Sequence, residues 1–127
     1  MAIPSGSGSE ILTSTSIHAQ SNTATSFRWD GTPATTGTSS YTVPANHIIT
    51  VISIYINEVN DTDELFTLYI NDGSNDLYLL REQSLTSKST FVVNDRFVLK
   101  AGHYLKFNLV SAGDVDAYCT YIDQDWT

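Results

Sequence analysis

The sequence predicts an all-β fold, an antiparallel two-sheet β-sandwich of jelly-roll-like type with an extended N-terminal arm. Three observations carry this prediction. Short runs of β-branched and aromatic residues recur along the chain, divided by clusters of Gly, Asn, Asp and Pro. No heptad pattern and no amphipathic helix of useful length interrupts them. The stretch from Arg96 to Asp123 alternates apolar and polar side chains across two similar turn signals, Lys100-Ala101-Gly102 and Ser111-Ala112-Gly113.

Residues 1–25 form the predicted arm and 26–127 the sandwich domain. In the arm Glu10 is the one formal charge, small hydroxyl residues dominate, and Ile3, Ile11, Leu12 and Ile17 are isolated apolar points. Such a segment cannot bury enough surface to fold alone. It reads as a leader that orders against a neighbour, with those four residues as pegs. Fully extended it would reach at most ~85 Å, far enough to cross to another subunit.

Ser26-Phe27-Arg28-Trp29 reads as the first strand of the body, closed by Asp30-Gly31. Tyr41-Thr42-Val43 is a short strand stopped by Pro44, which has no amide hydrogen to donate. His47 to Val59 is the longest strand. Unbroken alternation would put Ile48, Ile52, Ile54 and Ile56 on one face and Ile49, Val51, Tyr55 and Val59 on the other. Branched residues on both faces mark a central strand. Leu65 to Ile70 and Leu77 to Leu80 flank the turn cluster Asn71 to Asp76 and read as a hairpin. Glu82 to Thr90 reads as a polar loop, and Phe91-Val92-Val93 as a short strand.

The terminal stretch reads as a three-strand meander joined by three-residue hairpin loops, each with glycine in the left-handed position. Leu99 would then face His103, Leu109 would face Val115, and Leu105 would face Cys119. Phe97, Leu99, Leu105, Phe107, Leu109, Val115, Ala117, Cys119 and Tyr121 would share the inward face. Val98, Tyr104, Tyr118 and Ile122 would make an amphipathic outer patch. Exposed aromatics of this kind suit protein interfaces and sugar stacking alike; a second sheet or the arm would otherwise cover them.

The composition limits the function. The chain has 127 residues, enough for one domain with its own core. A net charge of −8, from 14 acids against 6 bases, argues against a nucleic-acid or anionic-membrane partner. The one cysteine, Cys119, reads as a small buried hydrophobe, and no disulfide framework exists. The best apolar run, Ile48 to Ile56, is too short to cross a membrane. With no basic n-region at the start, no secretory signal is expected.

No catalytic residue, metal ligand or cofactor is expected, and the chain reads as something other than an enzyme. His18, His47 and His103 lie in unrelated contexts. The acidic loops at 61–64 and 72–76 lack the spacing of a calcium loop and read as solvated turns. No G-x-S-x-G elbow occurs. Cys119 and His103 would be neighbours in the meander, but an inward thiol lacks both ionisation and access.

The opening MAIPSGSGSEIL, the segment SSYTVPANHIITVISIYI, the hairpin KAGHYLKF and the ending DVDAYCTYIDQDWT together resemble small β-sandwich virion proteins of tailed bacteriophages, marine ones in particular. The resemblance runs over nearly the whole chain, so the Gly-Ser start reads as genuine. It rests on structural motifs and carries over no functional site. It implies a capsid decoration, or cement, protein, or else a tail- or fibre-associated module binding a receptor or carbohydrate. The first alternative implies the major capsid protein as partner, a homotrimer, and a place on the capsid surface of a virion assembled in the host cytoplasm. Its contact residues would be Ile3, Ile11, Leu12, Ile17, Tyr104, Tyr118 and Ile122.

Overall fold

The computed structural model describes residues 9–38 and 40–126. Among them are nine strands and no helix: β1 (Ser9–Ala19), β2 (Thr25–Ser26), β3 (His47–Glu58), β4 (Glu64–Asn71), β5 (Asp76–Leu85), β6 (Thr90–Val93), β7 (Phe97–Leu99), β8 (Tyr104–Leu109) and β9 (Val115–Asp125). They form two antiparallel sheets. A five-stranded sheet has the order β1-β9-β3-β6, with β7 also on β3, and a four-stranded sheet has the order β2-β8-β4-β5.

The pairing is nested. β1 pairs β9, β2 pairs β8, β3 pairs β6 and β7, and β4 pairs β5. A long antiparallel ribbon folded over on itself gives this order, which is the jelly-roll arrangement the sequence predicts. β6 and β7 act as one bent strand along β3, interrupted at Asn94 to Arg96.

The inward faces of the two sheets meet in a core that includes Phe27, Phe66, Phe107, Tyr121, Ile49, Ile54, Ile56, Leu68, Leu99, Leu105 and Leu109, all fully buried. Each large side chain contributes roughly 1.5–3 kcal/mol by leaving water. Aromatic contacts cross between the sheets. Phe66 of β4 meets Phe91 of β6 edge-on with centroids 5.5 Å apart, and Trp29 meets Tyr121 of β9 edge-on at 4.9 Å. The Tyr121 hydroxyl accepts the Gly31 amide hydrogen at 2.9 Å, which fastens the loop after Trp29 to the core.

The predicted meander is corrected. Its inward residues all point to the core, but β7, β8 and β9 do not pair with one another. β7 lies on β3, β8 lies between β2 and β4, and β9 lies between β1 and β3. The two glycine turns are therefore crossings between sheets rather than hairpins. Cys119 stands opposite Thr15 and Ile54, so its pairing with Leu105 and its proximity to His103 fail together. Gly102 is left-handed at φ +86°, as expected. Gly113 is not; a Cβ there would run into the Glu64 carboxylate, so close approach is what selects glycine.

The faces predicted for β3 are corrected as well. A bulge between Val51 and Ser53 shifts the phase, so Ile49, Val51, Ile54, Ile56 and Glu58 all face inward and Ile52 does not. β5 continues through Leu85 where a polar loop was expected. The expected Ser26–Trp29 strand is reduced to Thr25–Ser26. Tyr41–Val43 is not a strand, although Val43 exchanges backbone hydrogen bonds with His103 and Gly102 at 2.8 and 2.9 Å. The hairpin around Asn71 to Asp76 forms as expected.

Candidate interaction surface

The five-stranded sheet presents its outer face to solvent, and the strand register arranges that face in rows. One row runs Ser16, Tyr118, Tyr55, Val92 across β1, β9, β3 and β6. Another runs Leu12, Ile122, Thr50, Val98 across β1, β9, β3 and β7. Tyr118, Tyr55, Val92, Val98 and Leu12 are each between 45% and 67% exposed, and Ile122 is half-buried. No lysine or arginine stands on these rows. The Tyr118 hydroxyl donates to Ser14 Oγ at 2.8 Å, and the Ser16 carbonyl accepts the Ala34 amide hydrogen at 2.7 Å. The polar row Ser14, Thr120, Ser53 runs between the two rows, so the face is two apolar strips, one bearing Tyr55 and Tyr118, with little charge, a mixture that suits an interface.

The predicted contact residues fall in different places. Leu12 and Ile122 are direct cross-strand partners, and Tyr118 shares their face. Tyr104 lies on the other sheet, opposite Asn71, with Lys106 Nζ 5.5 Å from its ring centre. The expected single patch of Tyr104, Tyr118 and Ile122 is thus split between the two sides of the molecule. Ile11 is 58% exposed near Trp29 and Tyr121, and Ile17 is 2% exposed within the chain's own core. Ile3 lies outside the described residues. Tyr55 reads from the sequence as a surface aromatic apart from the predicted patch, and Val92 is not singled out; the pairing of β3 with β9 and β6 brings both onto this face.

One ion-pair group borders this face, and a second lies at the far end on the inward side of the same sheet. His18 Nδ1 lies 2.5 Å from Asp116 Oδ1 and its Nε2 lies 3.6 Å from Asp114 Oδ1, joining β1 to the start of β9. The hydrogen bond to Asp116 holds the imidazole above its ordinary pKa. With both ring nitrogens turned to carboxylates, the arrangement suits an imidazolium better than a metal ligand, which would need a free lone pair. At the far end His47 Nδ1 lies 2.7 Å from Asp123 Oδ1, joining β3 to β9.

The acidic loops are engaged locally. Glu58, fully buried, accepts the amide hydrogens of Asn60, Thr62 and Lys88 at 2.8, 3.3 and 2.9 Å. Burial pushes this carboxyl up, but the amides outweigh it and hold it below the usual range. Asp72 accepts the amides of Ser74 and Asn75, capping its turn. Cys119 is buried, and burial pushes its thiol up to about 12, which leaves no thiolate for catalysis.

No described protein family and no curated protein matches the sequence. Solved structures do share the fold. A chain from Bacillus endospore appendages, described as disulfide-linked pili, has a TM-score of 0.53 at 11% identity, covering 100% of this chain and 97% of its own. A chain from the capsid of Helicobacter pylori bacteriophage KHP30 has a TM-score of 0.53 at 9% identity, covering 94% of each. A chain of the infectious bursal disease virus T13 particle has a TM-score of 0.52 at 7% identity; 94% of this chain spans 31% of that one. The fold is therefore one used by viral capsid proteins and by pili.

Proposed function

We propose that this chain is a virion structural protein, a capsid decoration or cement protein that docks on the major capsid protein through the outer face of its five-stranded sheet. The observation that carries this reading is the pair of rows described above. Tyr118, Tyr55 and Val92 beside Leu12, Ile122 and Val98 form an exposed, charge-poor surface on the sandwich. The occurrence of the same fold in capsids adds support.

A homotrimer on the capsid surface is part of the proposal. Several copies engaging a shell together gain avidity that one copy lacks. The leader contributes less than its full length to such binding. Ser9–Ala19 is occupied as β1 in the chain's own sheet, and Ile17 is in the core. Removing residues 1–20 would strip β9 of a neighbour, so the informative truncation removes residues 1–8 alone.

The test is a density map of the intact particle that carries this chain, together with binding of the purified protein to particles lacking it. The expected result is a decoration site with Tyr55 and Tyr118 at the contact. A position on the tail, or an outward-facing β1-β9-β3-β6 surface on the shell, overturns the proposal.

A further inference from the structure

On the opposite sheet, β4 and β5 leave a groove of about 380 Å³ lined by Asn22, Tyr69, Tyr78, Arg81, Glu82 and Asn108 among others. We propose that this groove is a saccharide-binding site, separate from the docking face.

The groove is built by irregularity in an otherwise regular ladder. Between Phe66 and Tyr69 the β4–β5 register shifts twice: Phe66 pairs Gln83, Leu68 pairs Leu80, and Tyr69 pairs Tyr78. Bulges of this kind re-aim side chains and gather beside functional sites. Glu82 sits at φ +50°, a left-handed conformation uncommon for a residue with a side chain. Its amide hydrogen is held by Thr67 Oγ1 at 3.1 Å. The double bulge brings Tyr78, Arg81 and Glu82, from an edge strand, to the same hollow as Tyr69 and Asn108.

The chemistry of the lining selects the ligand class. Tyr69 and Tyr78 lie with ring centres 5.4 Å apart and planes at 43°, and Tyr78 is 48% exposed. A pyranose ring carries a face of C–H bonds that packs on such a surface and a rim of hydroxyls that needs donors and acceptors. Both kinds surround the rings. Arg81 stands 4.9 Å over the Tyr78 ring and has no ion-pair partner among the described residues, so its fork of donors is uncommitted. Glu82 offers acceptors, and Asn22 and Asn108 offer both.

Competing ligand classes fit worse. Nucleic acid needs several cations, and the groove has Arg81 with Glu82 beside it in a chain of charge −8. An apolar small molecule prefers a mainly hydrophobic lining. The volume is within the range of roughly 300–1,000 Å³ common to small-ligand sites, and the open shape suits a chain passing across it.

The experiment uses the full chain with methyl glycosides of glucose, galactose, mannose and N-acetylglucosamine, and with lactose and maltose, at millimolar concentration. Binding is read by saturation transfer from protein to sugar protons and by amide shift changes. Transfer to at least one of these sugars is expected, with shifts at Tyr69, Tyr78 and Arg81. Tyr78→Ala and Arg81→Ala should each weaken binding about tenfold. Tyr118→Ala, on the other sheet, should leave it unchanged. Circular dichroism checks that each variant is folded, and Tyr78→Phe, which keeps the ring, should retain most of the affinity. Transfer to none of the sugars, or binding that survives in the Tyr78→Ala, Arg81→Ala double variant, overturns the site. Neither result bears on docking through Tyr55 and Tyr118.

Discussion

Tyr55 on β3 stands directly opposite Tyr118 on β9, with both rings about half exposed on the outer face of the same sheet. Replacing both by serine removes aromatic surface without touching the core. Folding stability should fall by no more than about 1 kcal/mol for each substitution, from the lost cross-strand pair and the Tyr118 hydrogen bond to Ser14. Binding to particles should fall by at least about tenfold, since buried tyrosines dominate interface energies. Chemical denaturation and particle co-sedimentation, measured on the same preparation, separate the two effects.

The His18–Asp116 pair makes the attachment of β1 depend on pH. A histidine whose folded pKa is raised stabilises the folded state fully below its ordinary pKa of 6.5, and this contribution is lost as pH rises through the higher folded value. The ring is well exposed, which limits the effect to about 0.2–1 kcal/mol. Amide exchange in β1 should therefore be slower at pH 6 than at pH 8 after correction for intrinsic rates. His18→Gln should remove that difference.

Glu58 gives the opposite dependence. Its lowered pKa stabilises the fold above the ordinary carboxylate range, and that stabilisation is lost as pH falls through the folded value. Glu58→Gln places an amide group among three backbone donors and should lower the melting temperature by several degrees at pH 7. The gap between wild type and variant should narrow as pH falls below the ordinary carboxylate range. A constant gap across this range would assign the loss to packing instead.

The two turn glycines should respond to different rescues. Gly113→Ala drives a methyl group into the Glu64 carboxylate, which Thr62 Oγ1 holds at 3.0 Å, and should cost about 1–2 kcal/mol. Gly102→Ala meets no atom within 4 Å but strains a left-handed backbone, at a cost of about 1–2 kcal/mol. Adding Glu64→Ala should relieve the first and leave the second unchanged. Urea unfolding of the wild type, the three single variants and the two double variants supplies both cycles.

How much of this was legible in the sequence depends on which physical signal each feature leaves. Leu109 and Val115 show the limit. Alternation marks both as inward, but in a sandwich the inward faces of both sheets meet one core, so alternation does not say which sheet a strand joins. The meander was the local solution, and the nested ribbon the global one. Ile52 shows a second limit. A bulge reverses the phase of every later residue on β3 and leaves no mark except apolar residues on both faces. The interaction surface was partly legible: Leu12, Tyr118 and Ile122 could be singled out, while their union with Tyr55 needed the pairing of β3 with β9. The groove depends on two bulges in β5, a strand whose second half reads as loop.

The nesting also sets a schedule for synthesis. Among the described strands β9 comes last in chain order, and it is the shared neighbour of β1 and β3. Until it leaves the ribosome, β1 has no long partner and β3 lacks one whole side. Local contacts offer little to a chain of this order, so pairing of this sheet awaits β9 and proceeds at the pace of distant loop closure. A nascent chain stalled before Val115 would carry two unfinished strand edges at once, whereas a completed one closes both seams in a single step.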